Sequence, residues 1–241
     1  MNLKLRNRLS EILLEGLKGQ DQTETLTLLS AYCQAVRICG STRIRLKDLS
    51  LPGGPSLLTV SECGILSING VPGGGADPEL DLLAEFYQEV DYLCERIAAY
   101  NGVFLEVRKI SDSPVGLDRA VRTGVLLFNK GLYFECHEFL EVYWREEKGE
   151  TKEFLQGIIS LATALYHLEQ GNRPSAIKLL SDARSRLAPF SRVHRGLAIA
   201  ALVEQADEIQ TLVEEGGPEA LERLKRMPPP TIQFHSLREL Y

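Results

Sequence analysis

Residues 128–144, FNKGLYFECHEFLEVYW, decide the fold of the second half of this chain. The stretch opens with an Asn-Lys-Gly stop, and the apolar residues after it recur at helical spacing, which predicts a helix over 133–147. Within this helix, His137, Glu138 and Glu141 lie on consecutive turns among aromatic and aliphatic residues. Burying such groups is costly unless they meet a partner, a metal or solvent. The stretch therefore predicts a helix with one polar stripe, where chemistry is most plausible.

The residues downstream of this stretch continue the helical pattern. Gly171-Asn-Arg-Pro174 stops one helix and starts the next. Helices are predicted near 115–129, 133–147, 151–169, 174–187, 195–213 and 217–226. We therefore expect an all-α helical-bundle domain over 113–227. Three prolines at 228–230 open a tail, residues 228–241, which either docks on the bundle or contacts a second subunit.

Residues 1–112 mix helix and strand signals. The predicted elements are helices at 2–18, 22–38 and 79–99, strands at 42–48 and 103–109, a hairpin made of 57–61 and 64–69, and a flexible glycine-rich loop at 71–78. The predicted fold class is therefore α+β. A small antiparallel sheet with helices forms an N-terminal domain of unrecognised type, and an all-α helical-bundle domain follows it.

Composition and charge restrict the function classes. The chain has 241 residues and a net charge of −6, divided about equally between its two halves, so neither half is a basic nucleic-acid module. The amphipathic start predicts no signal peptide, and no apolar run approaches the roughly 18 residues that span a bilayer. Five cysteines at wide spacing, with no CxxC, favour reduced thiols in a cytoplasmic protein.

The polar stripe of helix 133–147 is narrow. At 100° per residue, His137, Glu138, Glu141 and Arg145 fall on one side of the helix. Apolar residues flank the stripe on both sides. The stripe could therefore line a pocket between helices.

The helix predicted at 151–169 is apolar over more than half of its circumference, which indicates a central helix. Its polar residues share one face: Gln156, Ser160, Thr163 and His167. This face either points at Glu138 and Glu141 or is the one wet face of the helix. On the next helix, Arg184 lies at the edge of the apolar face and could turn inward towards a carboxylate.

These residues define the predicted binding pocket. It comprises Glu135, His137, Glu138, Glu141, Trp144, Gln156, Thr163, His167 and Arg184. Outside the pocket, residues 135–153 are rich in Glu and residues 173–195 in Arg. That contrast predicts attraction between adjacent helical hairpins or, alternatively, an anion-binding surface.

Three interpretations of the stripe remain open. In the first, His137, Glu141 and His167 bind a divalent metal while Glu138 acts as general base, an arrangement similar to HExxH with its second His replaced by Glu. In the second, Glu138 and Glu141 pair with Arg145 or Arg184 and form a solvated or buried structural network. In the third, the carboxylates hold a cationic or hydroxylated small ligand.

Three ordered motifs carry a resemblance to a known family. They are FNxGxYFExHExLExxW at 128–144, LQGxIxxAxALxH at 155–167 and GNxxxAxxLL at 171–180. Together they resemble the helical family catalogued as domain of unknown function number 309, over about 115–190. The resemblance implies an all-helical bundle in bacterial or archaeal cytosol and implies no established activity. Residues 1–110 carry no such resemblance.

Two functional hypotheses follow. The first is a helical module that binds a small molecule or a partner protein through the pocket. The second is a metal-dependent hydrolase-like enzyme with His137, Glu141 and His167 as ligands and Glu138 as base, whose cofactor would be a divalent metal. Neither hypothesis involves a membrane or nucleic acid, and both are compatible with a homo-oligomer.

Overall fold

The computed structural model describes residues 1–51, 57–70, 77–110, 116–190 and 193–234. The chain separates into two compact units, Met1–Glu106 and Val107–Tyr241, and each is described by itself. The first unit holds a small antiparallel sheet with helices, and the second is a helical bundle. The predicted α+β fold class is confirmed.

Two helices open the first unit. Helix α1 spans Leu3–Leu17, and the Asn2 side chain accepts hydrogen bonds from the Lys4 and Leu5 N–H groups at its start. Helix α2 spans Thr23–Cys39 and ends at Gly40, which adopts a left-handed conformation with φ 66°. Both helices bury a leucine-rich face, and both lie within about one residue of their predicted bounds.

A three-stranded antiparallel sheet follows, in the order β1-β3-β2. Its strands are β1 (Ile44–Arg45), β2 (Leu66–Asn69) and β3 (Glu79–Leu82). Leu80 of β3 lies opposite Ile44 and Ile68, so the central strand is paired on both edges. The strand predicted at 42–48 is shorter than expected, because Leu46–Asp48 forms a 3-10 turn. Most of the loop predicted at 71–78 lies outside the described residues.

The predicted hairpin of 57–61 and 64–69 is wrong in its first arm. Residues Leu57–Cys63 form helix α3, and β2 pairs with β3 instead. A short apolar run such as LLTVS cannot be assigned to helix or strand by periodicity alone. The helix predicted at 79–99 is wrong in its first part, because Glu79–Leu82 forms strand β3, but the chain is helical from Val90 onward. β3 is the central strand, and the Oδ2 atom of its buried Asp81 accepts a hydrogen bond from Tyr87 Oη at 2.9 Å.

Helix α4 spans Val90–Ile110 after a 3-10 segment at Ala84–Glu89. We predicted that Asn101-Gly102 ends this helix and that 103–109 is a strand, and both predictions are wrong. The Asn101 side chain donates to Ser30 Oγ at 2.7 Å, so packing against α2 holds the helix together at that point. A glycine inside a helix costs only about 1 kcal/mol, which this packing outweighs.

All six helices predicted in the second unit are present. They are α5 (Leu117–Asn129), α6 (Tyr133–Glu146), α7 (Gly149–Glu169), α8 (Arg173–Leu187), α9 (Ile199–Glu215) and α10 (Pro218–Arg226). Helix α7 packs between α6 and α8, and its buried face includes Phe154, Leu155, Ile158 and Leu161. Its predicted central position is confirmed.

The start predicted for α9 is four residues early. Val193–His194 and Leu197–Ala198 form two short antiparallel strands, β4 and β5, before the helix begins. Residues 231–234 of the tail dock on the same unit, since Ile232 is only 1% exposed. The docked part therefore confirms the first of the two alternatives predicted for the tail.

Two glycines let helices of this unit approach closely. A Cβ on Gly124 of α5 would lie 2.6 Å from Leu140 Cδ2 of α6. A Cβ on Gly157 of α7 would lie 2.7 Å from Leu187 Cγ and Cδ2 of α8. Each leucine therefore occupies the notch that its glycine leaves.

The five cysteines are free thiols. Four of them are buried and one, Cys39 at the end of α2, is exposed. Burial raises the pKa of the Cys63 and Cys136 thiols above their ordinary value. Among the described residues, no helix combines the length and the apolar character needed to cross a membrane.

Candidate functional site

Helix α6 carries the predicted polar stripe. One ligating atom from each of His137, Glu138 and Glu141 lies within 4.8 Å of the other two. Within this group, His137 Nδ1 and Glu138 Oε1 are 3.4 Å apart. The three side chains are partly sheltered, with exposed fractions of 26%, 38% and 29%. We refer to these three residues as the α6 cluster.

The α6 cluster carries an excess of negative charge. Its two carboxylates face one compensating cation on the same helix, since Arg145 Nη2 lies 3.1 Å from Glu141 Oε2. The Arg145 side chain is 66% exposed, so solvent screens much of this pair. On the other side, the Phe134 ring packs edge-on against the His137 imidazole, with ring centres 6.2 Å apart. A cation could therefore enter the cluster from the solvent side.

His167 is not a member of the α6 cluster in the part of the chain that is described. Its ring packs against Tyr166, at 5.9 Å, and Tyr166 packs against Phe134 of α6 at 5.5 Å. The structure therefore brings together His137, Glu138 and Glu141, and not the predicted ligand set that includes His167.

The rest of the polar face of α7 is engaged elsewhere. Gln156 Nε2 donates to Ser160 Oγ at 3.3 Å, and the buried Ser160 hydroxyl donates to Asp182 Oδ2 of α8 at 2.6 Å. The Thr163 hydroxyl donates to the Ile159 carbonyl of its own helix at 2.8 Å. These polar groups therefore serve the α7–α8 contact and the helix itself.

The Arg184 side chain does not point inward as predicted. Its Nη1 lies 2.5 Å from Asp207 Oδ1 of α9, and both side chains are 45% exposed. The hydrogen bond and charge of Asp207 raise the pKa of the Arg184 guanidinium. The sequence provides no signal for this partner, because Asp207 lies outside the residue ranges that the motifs cover.

The remaining two predicted pocket residues lie on α6. Glu135 is fully buried, and its charge adds to burial in raising the pKa of the neighbouring Cys136 thiol. The Trp144 ring receives the Lys152 ammonium over its face, with Nζ 4.2 Å from the ring centre. Trp144 Nε1 is buried and has no hydrogen-bond partner among the described residues.

An ion-pair network joins α7 to α8. Arg186 Nε donates to both Asp182 oxygens at 3.0 Å, and its Nη1 contacts Glu153. Burial alone would raise the pKa of Asp182, but the hydrogen bonds from Ser160 and Arg186 outweigh it and lower that pKa. The predicted attraction between the acidic and basic segments is confirmed by this network.

The network forms one wall of an open cleft of about 580 Å³. The lining residues are Glu150, Glu153, Asp182, Ser185, Arg186, Pro189, Phe190 and His194. The rings of Phe190 and His194 pack at a tilt of 57° with their centres 4.6 Å apart, and burial together with the Arg195 charge lowers the pKa of His194. Sequence reasoning missed this cleft, because its residues come from α7, α8 and β4 and share no motif. None of the α6 cluster lines it.

Comparisons with known proteins cover only part of this chain. A 52-residue segment is 44% identical to the "Uncharacterized protein YpuF" of Bacillus subtilis (strain 168), covering 21% of this chain and 30% of that protein. This chain thus spans less than a third of the relative that it matches. No solved structure matches the chain significantly. Residues 121–179 match the model of the family described as "Domain of unknown function (DUF309)", which confirms the resemblance carried by the motifs around the α6 cluster.

Proposed function

We propose that the second unit is a binding module and that the α6 cluster is its divalent-cation site. The observation that carries the proposal is the convergence of three ligating side chains within 4.8 Å on one helix. The cluster lies inside the segment that matches the family model.

The donor set supports a divalent ion. Two carboxylates carry two negative charges, which one divalent cation neutralises, and the imidazole adds a nitrogen donor that transition metals prefer over calcium. Three protein ligands leave at least one coordination position open, as in metal sites that exchange a water for a ligand. A small molecule or a partner with an oxygen or nitrogen donor would bind at that position.

The geometry requires only a small adjustment. Ligand bonds near 2.1 Å keep two atoms that share an ion within about 4.2 Å of each other. The widest separation in the cluster is at most 4.8 Å, and the three side chains are partly exposed, so they have room to rotate. Glu141 must exchange its exposed ion pair with Arg145 for the metal, which costs little.

Metal titration of untagged protein tests the proposal. Isothermal titration calorimetry with Zn²⁺ and Mn²⁺ is expected to give one bound ion per chain, with affinity lost in His137→Ala and Glu141→Gln. Binding should weaken as the pH falls, because protons compete with the ion for the ligands. No binding, or equal binding by the wild type and His137→Ala, would refute the proposal.

His167→Ala is the matched control, because it removes the same side chain from a position outside the cluster. We expect it to bind the ion like the wild type. If His167→Ala loses the ion as completely as His137→Ala, the ligand set of the hydrolase hypothesis replaces the α6 cluster. Glu138 would then be free to act as the base.

A further inference from the structure

A second binding feature lies in the same unit, away from the α6 cluster. It begins with Asn129, the last residue of α5. Asn129 Nδ2 donates to the Ile232 carbonyl at 2.9 Å, and the Ile232 N–H donates to Asn129 Oδ1 at 2.8 Å. A primary amide offers the same donor and acceptor as a peptide group, so Asn129 pairs with Ile232 as a residue of a neighbouring strand would.

Gln205 of α9 repeats this arrangement one residue earlier. The Thr231 N–H donates to Gln205 Oε1 at 3.0 Å, while Gln205 Nε2 lies 3.5 Å from the Thr231 carbonyl and 3.2 Å from the Ala201 carbonyl of its own helix. The Ala198 N–H then donates to the Gln233 carbonyl at 2.9 Å. Two side-chain amides and one strand edge thus contact the backbone of consecutive residues.

The segment 231–234 completes its contacts with two side chains. Ile232 is 1% exposed and fills a site in the core of the unit. Phe234 forms an antiparallel bridge with Leu197, and its ring receives the Arg122 guanidinium at 4.9 Å. Thr231 and Gln233, which alternate with these two, are exposed, and Phe234 is itself 41% exposed, so Ile232 is the buried anchor of the segment. Backbone pairing combined with alternate side-chain sites is the mode in which sheet edges bind extended peptides.

The connection to this segment allows it to act as a separate ligand. Three prolines at 228–230 follow α10, and a proline run forms a stiff extended spacer without internal hydrogen bonds. Within the described part of the chain, the segment forms hydrogen bonds with α5, β5 and α9. It therefore binds as an extended peptide tethered to the body that holds it.

We propose that Asn129, Gln205 and the β5 edge form a peptide-binding groove, and that residues 231–234 occupy it as a tethered ligand. The groove selects an extended segment with a branched aliphatic residue, followed two positions later by an aromatic residue. Its preferred partner is therefore a peptide with the chemistry of Thr-Ile-Gln-Phe. A free peptide competes with the tether, whose effective concentration is in the millimolar range.

Peptide binding to the full-length chain tests the proposal. A fluorescent peptide with the sequence of residues 227–234 is titrated into the wild type and into Ile232→Ala, with binding followed by fluorescence anisotropy. The variant releases its own segment, so we expect it to bind the peptide at least tenfold more tightly than the wild type. A peptide with Asp in place of its isoleucine is the matched control and should not bind.

The amide contact is tested in the same background. The double variant Ile232→Ala/Asn129→Ala keeps the vacated core site but removes the paired amide, and it should lose peptide binding. Ile232→Ala failing to bind the peptide, or binding the Asp peptide equally well, would overturn the proposal.

Hydrogen exchange of the wild type provides a test that requires no variant. A tethered ligand leaves its groove without unfolding the bundle, so the Ile232 amide should exchange faster than the slowest amides of α9. Exchange of Ile232 only with global unfolding would make the segment an inseparable part of the core, and the groove would not be a binding site.

Discussion

Replacing Gly157 with alanine tests whether α7 and α8 pack as closely at this position as the structure indicates. The added Cβ would lie 2.7 Å from two carbons of Leu187, where ordinary contacts begin at 3.4 Å. Leu187 is 0% exposed, so a shift of about 0.7 Å has to be absorbed by the core. Overpacking of this kind costs about 1–3 kcal/mol, and the better helix propensity of alanine returns about 1 kcal/mol.

The net expectation is a loss of about 1 kcal/mol in the free energy of unfolding. Urea denaturation followed by the fluorescence of Trp144, which lies in the same unit, measures this loss. With a slope of about 2 kcal/mol per M, the midpoint should fall by about 0.5 M.

Gly102→Ala is the matched control, because a Cβ at that helical position meets no atom within 4 Å. In that variant, far-UV circular dichroism should report a gain of about 0.5–1 kcal/mol. A Gly157→Ala protein as stable as the wild type would refute the packing argument.

Two further predictions concern pH. Ser160→Ala removes the hydrogen bond to Asp182. We expect the free energy of unfolding to fall by about 1 kcal/mol at neutral pH, and not by more, because Asp182 is partly exposed and solvent screens its charge. The lowered pKa of Asp182 means that this stabilisation is present above the ordinary value of 3.8 and is lost below it, so urea midpoints of the two proteins should converge in acid. Burial, followed by the Glu169 charge, raises the pKa of Tyr133 to about 12. Its contribution to stability is therefore complete below pH 10 and is lost as the pH rises towards 12, and phenolate absorbance should show one fewer late-titrating tyrosine in Tyr133→Phe.

The helices of the second unit were predictable because residues close in sequence determine where each helix begins and ends. Gly131 and Gly171 adopt left-handed conformations with φ of 69° and 71°, and only glycine does so without strain. The Asn172 side chain caps α8 by accepting a hydrogen bond from the Ser175 N–H at 3.3 Å. Each signal acts within a few residues, so the sequence alone contains it.

The errors in the first unit arise where distant residues decide the conformation. The apolar run at 57–61 suits a strand or a helix equally well, so its local pattern does not predict that it forms helix α3 while β2 pairs with β3. Asp81 resembles an exposed helical residue in sequence, yet it is buried in the central strand and contacts Arg43 and Tyr87. No pattern within the strand predicts those two partners.

The same distinction between local and tertiary determinants applies to the candidate site. The α6 cluster was predictable because Glu141 lies three positions after Glu138 and four after His137, and residues at these spacings are neighbours on a helix surface. The expected convergence of Gln156 and Arg184 on it depended on how α7 and α8 rotate. Gly157 and Leu187 form the close contact between these helices, and Ser160, which accepts a hydrogen bond from Gln156 of its own helix, faces Asp182 of α8.

The single exposed thiol has a practical consequence. Because the other four cysteines are buried, a mild alkylating dye should label native protein at Cys39 alone. Cys39 belongs to the first unit, whereas the one tryptophan of the chain belongs to the second. The unmodified sequence therefore offers each unit its own optical reporter, and the cooperativity of the whole chain can be measured without engineering a probe.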